Sequence, residues 1–258
     1  MAAPAHVSWQ RTDAVATVTI DRPAKRNALG LRTIEELCQA IDRCEADAQV
    51  RVVVLTGTGD RAFASGADLD EVPDAMDTPE HARVYDDRVG GLYDRLAETP
   101  LPVIARMQAS AIGGGYLLAL ACDLRVCGAS ALIGIPVSRI GLMLSPQEHR
   151  LLVRQVGPSR AKLLTFTGRR LGAKEAADWG LVDMVVADDA LDEAVDQLTL
   201  DIASGAPIAI TAAKRMIDDG AQTEAVVQQC YRDIYGSEDL SEGLAALSQR
   251  RPPRFQGR

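Results

Sequence analysis

The chain has 258 residues, of which 47% are hydrophobic and 25% charged, with a formal net charge of −8. That is enough apolar material for one large core, and too acidic a balance for general nucleic-acid binding. No apolar run approaches the roughly 18 residues of a membrane helix, and Met1-Ala2-Ala3-Pro4-Ala5-His6 lacks the basic-then-apolar order of a secretory leader. In chain order, Val15–Ile20 alternates as a half-buried strand, pairing with Val7-Ser8-Trp9. A turn-rich basic loop, Asp21–Leu29, leads to a helix with Ile34, Leu37, Cys38, Ile41 and Cys44 on one face; Thr33 and Glu36 match a capping box. Val52–Thr56 reads as a buried strand. Tyr85, Val89, Leu92 and Leu96 mark a helix face that Gly90-Gly91 weakens and Pro100 and Pro102 stop. Pro102–Ala105, Leu124–Cys127, Ala131–Ile133 and Val182–Val186 read as further strands. Helices are predicted at 146–156, 159–167 and 173–179, then without interruption by strands at 191–203, 207–219, 223–235 and 237–248. A basic, proline-rich tail closes the chain. The sequence shows no internal repeats. Strand–helix units followed by a helical end predict an α/β core, residues 1–195, and a helical C-terminal region, 196–258.

Two glycine turns stand out. Ser110-Ala111-Ile112-Gly113-Gly114-Gly115 lies between a strand and an apolar helical run, and the free N–H groups of a helix start favour developing negative charge. A second turn, Phe63-Ala64-Ser65-Gly66-Ala67-Asp68-Leu69, follows the Val52–Thr56 strand. Two converging donors from two such turns make an oxyanion hole.

The ordered pair of these turns, with Ala121-Cys122-Asp123-Leu124-Arg125 behind the second, resembles the enoyl-CoA hydratase/isomerase (crotonase) superfamily over nearly the whole chain. The resemblance implies a spiral of ββα units with C-terminal helices that assemble trimers, giving a homotrimer or a dimer of trimers. It implies that the amides of Ala67 and Gly114 hold the thioester oxygen of an acyl-CoA. The basic loop would lie over the coenzyme, with Lys25 and Arg26 near its phosphates and Ser65 and Asp68 beside them. Asp68 is also suited to cap a helix after Ala67. The ligand would be a coenzyme A thioester, with no separate cofactor.

Hydration of an enoyl thioester needs groups that activate water and protonate carbon. The resembled hydratases use two glutamates, at the positions of Leu117 and of Val137 after Pro136. Neither residue here carries a proton, which predicts an apolar acyl pocket of Leu117, Val137 and Leu142 and little hydratase activity. Ser145, before Pro146, reads as a helix cap; the resemblance also puts it where some relatives carry a catalytic aspartate, which keeps it among the candidate catalytic residues with Glu148 and His149. Glu148 and His149 follow; a surface ion pair or solvated face is the plainer reading, a pocket-facing acid or base the sharper one. His81, Asp70 and Glu71 are remoter candidates. Arg-Pro-Pro-Arg-Phe-Gln-Gly at the tail and Pro136-Val137-Ser138-Arg139-Ile140-Gly141-Leu142 resemble actinobacterial members of the family, some of which lack the glutamates and bind acyl-CoA without hydrating it.

Three readings stay open. One is an acyl-CoA-binding protein of lipid metabolism. Another is an active enzyme on the same scaffold, an isomerase, thioesterase or decarboxylase using Glu148 or another local group. The third is a dinucleotide oxidoreductase, because Gly57-Thr58-Gly59-Asp60-Arg61-Ala62 matches G-x-G-x-x-A; that motif requires a helix immediately afterwards, and Phe63–Asp68 has no helical stripe. The five cysteines show no C-x-x-C pair, so buried free thiols in a reducing cytoplasm are expected and no metal site is.

Overall fold

The computed structural model describes residues 4–218 and 223–258. Residues 1–3 of the N-terminal stretch and position 219 of the predicted 207–219 helix lie outside the described residues.

Strands β1 (Val7–Thr12) and β2 (Val15–Ile20) form a hairpin in the register Val7 to Ile20. The alternation in β2 is real: Ala16, Val18 and Ile20 are fully buried. Helix α1 (Leu31–Ala46) starts at Gly30 and makes no capping box, contrary to the sequence reading. Its first N–H, on Leu31, is taken by the Glu71 carboxylate at 2.9 Å. Thr33 is already inside the helix, where its Oγ1 meets His6 Nδ1, and Glu36 instead accepts the amides of His6 and Val7 at the start of β1.

The chain then repeats one move. β3 (Val52–Gly57) is followed by β4 (Ala62–Ala64) and helices α2 (Val72–Ala75) and α3 (Pro79–Glu98). β5 (Val103–Met107) is followed by β6 (Ser110–Ile112) and α4 (Gly114–Ala121). β7 (Leu124–Gly128) is followed by β8 (Leu132–Gly134) and α5 (Pro146–Thr167). Next come β9 (Arg170–Gly172), α6 (Ala173–Asp178) and β10 (Met184–Val186), and then α7 (Leu191–Ala203), α8 (Pro207–Asp218), α9 (Glu224–Tyr235) and α10 (Glu238–Gln249). In each repeat the first strand joins a six-stranded sheet, β1-β2-β3-β5-β7-β10, and the second a four-stranded sheet, β4-β6-β8-β9. All pairings are parallel except β1 with β2 and β8 with β9. This is the expected spiral of ββα units.

The two predicted helices at 146–167 are one element that breaks at Gly157, whose φ of 74° no helix accommodates. Helix α3 runs straight through Gly90-Gly91, where the Gly90 carbonyl accepts from Gln147 of α5 at 3.3 Å. One core lies between the sheets and helices and includes Ile20, Leu37, Leu55, Leu92, Met107 and Tyr116. A second covers the other face of the large sheet, where Val52, Val54, Ile104 and Val126 pack against Leu191 and Val195 of α7. That double coverage explains why β3 is buried at every position. The sequence division at 195/196 falls inside α7. Beyond it, Lys214 of α8 ties the helical end to the core, donating to the carbonyls of Leu96 and Leu101 and to Asp123 Oδ2 at 2.9–3.0 Å. Asp239 accepts the amides of Gln256 and Gly257 and so folds the tail back. The five cysteines are free thiols, four of them buried. Among the described residues no helix is long and apolar enough to cross a membrane.

Candidate functional site

The site forms where β4 and β6, neighbours in the small sheet, each end in a glycine turn. After β4, Gly66 takes φ of 91°, a conformation side chains rarely adopt. Its carbonyl accepts from Leu29 N at 2.8 Å, and Asp68 N donates to the Leu29 carbonyl at 3.2 Å. Ala67 sits between these two bonds, so its own N–H points the other way and meets no acceptor among the described residues. After β6, Gly113 caps α4 with φ of 56° while its N–H donates to Gly134 O at 2.8 Å. Gly114 is then the first helical residue, and its N–H has no partner within the helix.

The turns converge because only glycine lets them. A Cβ on Gly66 would stand 2.8 Å from the Ile112 carbonyl and 3.1 Å from Gly114 N, and one on Gly115 would collide with the Ala64 backbone. Ala67 and Gly114 thus border a common space, a cavity of about 70 Å³ whose walls include Leu29, Val137, Leu142 and Leu144. Ala67 also borders an outer groove of about 820 Å³.

The groove is lined by Lys25, Arg26, Arg61, Ser65, Asp68 and Arg170. Asp68 is no helix cap, since α2 begins only at Val72 behind Glu71. Its carboxylate is buried and accepts from Arg22 Nη2 at 2.7 Å and Lys25 Nζ at 2.9 Å. Burial alone would raise the Asp68 pKa; the bonds from Lys25 and Arg22 overcome it and hold the carboxyl below its ordinary value. Lys25 is shared with Asp70 at 2.8 Å, and the two carboxylates, Asp70 first, hold its ammonium above its ordinary range. Ser65 Oγ donates to Lys25 O at 3.2 Å, fixing the loop. Arg26, Arg61 and Arg170 make no ion pair among the described residues and are the groove's unclaimed cations. Arg61 and Arg170 were not singled out from the sequence: the first falls inside the rival glycine motif, and the second reaches the groove only through the β8–β9 pairing.

The cavity departs further from the sequence reading. Val137 and Leu142 line it, but Leu117 is fully buried in the core and not on its wall. Glu148 does line it, and is neither solvated nor ion-paired: it is only 9% exposed. Ser145 is the N-cap of α5, and Glu148 completes a reciprocal capping box with it, accepting Ser145 N at 2.8 Å while Glu148 N donates to Ser145 Oγ at 3.2 Å. The Tyr93 hydroxyl donates to Glu148 Oε1 at 3.3 Å. Burial raises the Glu148 pKa above its ordinary value against these bonds, with the nearby Asp86 adding to the rise. Asp86, also on the wall, is raised by burial and by Asp87. Tyr85 and Tyr93 complete a polar cluster on this side, which the helical stripe of α3 disguised as plain core. His149 is exposed, with Nδ1 near Ser145 O. His81 pairs with Asp77 on the surface, and Glu71 is engaged by Leu31. Gly57–Ala62 runs into β4 rather than a helix, so the dinucleotide context is not met.

Two free amides at the ends of β4 and β6, between a cationic groove and a small cavity, on a chain of ββα units that feed two sheets, define a crotonase-fold protein. The family model for enoyl-CoA hydratase/isomerase matches residues 10–258, and the chain belongs to that family. Human enoyl-CoA hydratase domain-containing protein 2, mitochondrial, is 37% identical over 253 residues, covering 95% of this chain and 86% of the relative. The crystal structure of an enoyl-CoA hydratase/carnithine racemase from Magnetospirillum magneticum superimposes with a TM-score of 0.94 at 36% identity, covering 99% of this chain and 97% of that one. Enoyl-CoA hydratase from Bacillus anthracis gives a TM-score of 0.91 at 34% identity, covering 98% of this chain and 100% of that one.

Proposed function

We propose that this protein binds acyl-CoA thioesters of lipid metabolism, with the carbonyl oxygen between the amides of Ala67 and Gly114. The observation that carries the reading is the pair of partnerless backbone donors opening on one cavity. The groove supplies cations for phosphates on one side of Ala67, and the cavity takes the acyl group on the other. At about 70 Å³ the cavity is well below the roughly 300 Å³ of ordinary small-molecule sites, so it suits a short acyl group as it stands.

Efficient hydration is not part of this reading. Val137 occupies the wall where the resembled hydratases place a carboxylate, and Leu117 the other such position. Each positioned acid or base is worth about 10²–10⁴-fold. The test is calorimetry with butyryl-CoA and free CoA, followed by crotonyl-CoA hydration read from loss of the conjugated absorbance. Binding that prefers butyryl-CoA, with hydration far below that of a family hydratase, is expected. No heat with either ligand sinks the binding reading; hydration within tenfold of a family hydratase sinks the other half. The presence of Glu148 in the cavity favours a second reading, an enzyme that moves a proton without adding water.

The protein is further proposed to be a cytoplasmic homotrimer or dimer of trimers, supported by the family and by the exposed apolar side chains of Tyr231, Tyr235, Leu244 and Leu247 on α9 and α10. Light scattering showing only a 27.6 kDa species would reject the assembly.

A further inference from the structure

We propose that residues 250–258 are a strap that fastens the α9–α10 pair to the core, with Arg51 as its anchor, and that the pair opens as one unit when the strap is released. Two helices of 12 residues each are marginal on their own in water, and these two bury little: Cys230 in α9, Asp239 and Ala246 in α10. Their larger apolar side chains Tyr231, Tyr235, Leu244 and Leu247 are 55–77% exposed. Apolar burial within one chain therefore does little to hold the pair in place. Among the described residues, the hydrogen bonds and ion pairs of residues 223–249 close within 223–258.

The tail supplies the attachment, and it does so in register. Arg250 turns the chain back with φ of 53°. Arg251 N then donates to Ala246 O at 3.1 Å, and the Arg251 guanidinium and Arg254 N donate to the Glu242 carboxylate at 2.6–2.8 Å. Gln256 N and Gly257 N take the two oxygens of Asp239 at 2.6 and 2.8 Å. Positions 239, 242 and 246 are three and four apart, hence on one side of α10. At the far end, Arg258 O accepts the amides of Glu238 and Asp239 at 2.8 and 3.3 Å. Those are first-turn N–H groups without a helical partner, so the end of the chain forms part of the cap of α10. Asp239 is only 3% exposed, and its bonds to the two amides are of the strong, charge-assisted kind.

The other side of the tail meets the core. Arg51 is fixed at the start of β3, where its own N–H donates to Ala14 O at 2.8 Å. Its guanidinium reaches Ala203 O, at the end of α7, at 3.0 Å and Phe255 O at 2.5 Å. Gly257 lies against Pro207, the first residue of α8, where a Cβ would come within 3.5 Å. The tail is thus bonded along α10 on one side and to Arg51 on the other. Releasing either side frees the pair while β3 keeps its ladder to β2 and β5, so the pair is a unit that opens well below global unfolding. On the assembly reading above, the fastened pair presents its apolar side chains to the next copy in one geometry, and assembly follows the strap.

The test is hydrogen–deuterium exchange, read by mass spectrometry, on the full chain as wild type, Arg51→Leu, Asp239→Asn and the double variant, with light scattering on the same samples. Each single change should speed amide exchange across 223–249 by about tenfold or more while β3 stays as protected as in wild type. A strap released at one place gains little from release at the other, so the double variant should exceed the faster single variant by less than about threefold. Multiplying effects in the double variant, an equal rise in the exchange of β3, or unchanged exchange across 223–249 overturns the proposal. Should Arg51→Leu fail to melt cooperatively, Asp239→Asn decides, because it touches only α10 and the tail: exchange that rises in α9 together with α10 upholds the strap, and a rise confined to α10 overturns it. Light scattering should show the wild-type assembly falling to a 27.6 kDa species in the variants. A wild type that is itself only 27.6 kDa rejects the assembly reading, and the exchange pattern then decides the strap alone.

Discussion

The groove and the cavity meet at Ala67 and are built in opposite ways. In the groove, part of the charge is paired, with Lys25, whose side chain is 42% exposed, bridging Asp68 and Asp70, and Arg26, Arg61 and Arg170 make no ion pair among the described residues. In the cavity, a tenth of the size, Glu148 has no counter-ion and is held by neutral donors. Exposed ion pairs are screened and contribute little individually, so the groove recognises charge loosely and adapts to its ligand. Dipoles in a low-dielectric space act more strongly than in water and need no reorganisation, so on the proposed function the cavity is where a carbonyl would be polarised. On the proposed function, one half would supply affinity for the coenzyme and the other would discriminate the acyl group.

The sharpest way to break this division is Gly114→Pro. Proline is tolerated at the first helical position, and a Cβ there meets nothing closer than 3.7 Å, so the substitution removes the N–H at a position that accepts the residue's backbone conformation. Loss of one such donor costs about 10²–10³ in rate. Calorimetry should show the preference for butyryl-CoA over free CoA collapse while free CoA binding holds. An equal fall in both would mean that the two halves are not separable.

Asp68→Asn attacks the other half. It leaves Arg22, whose side chain is only 11% exposed, without its carboxylate, and should cost about 2 kcal/mol in denaturant unfolding at neutral pH, less than a fully buried pair because Lys25 is partly solvated. The sign with pH is fixed. A carboxyl held below its ordinary value contributes stability that is complete above the unfolded pKa of about 4 and is lost as pH falls through the folded value. The gap between wild type and variant should therefore shrink on acidification. Freed Lys25 should also strengthen CoA binding at low salt.

Glu148→Gln should behave in the reverse sense. Burial raises the Glu148 pKa, so its stabilising contribution is greatest below the unfolded carboxylate pKa and declines as pH rises through the window up to the folded value. Thermal melts should show the variant gaining on wild type as pH rises above the ordinary carboxylate range. A gap that widens in favour of wild type over that range would mean that the cavity, like the groove, supplies a counter-charge.

The smallest effect belongs to Arg170→Ala. An exposed cation is worth up to about 1 kcal/mol, or roughly fivefold in affinity. Free CoA binding should weaken by that order at low ionic strength and recover toward wild type in salt, while the increment added by the butyryl group stays the same.

Much of this was legible in the chain because it is local. Glycine turns reveal themselves wherever backbone must approach backbone, and both site turns, at Gly66 and Gly113, were identifiable from their glycines and the strands before them. Ser145 before Pro146 announced a helix start for the same reason. The partner that completes the cap did not announce itself: Glu148 three residues on reads equally well as surface charge, and only the packing of α5 against α3 buries it beside Tyr93 and Asp86. Thr33 with Glu36 shows the converse, a correct local signal that lost to tertiary donors on β1 and to Glu71.

By itself the sequence determined the α/β class, the helical end and the two glycine turns, since periodicity and glycine conformation are properties of neighbouring residues. It did not determine the spiral. The ββα units share a topology without sharing a sequence, and strand partners such as β4 with β6 lie far apart along the chain. The tertiary structure alone decided that Asp68 is an ion-pair acceptor, that Leu117 belongs to the core, that Arg170 reaches the groove, and that a carboxylate faces the cavity. Burial and charge pairing depend on which distant elements meet, and no local pattern encodes that.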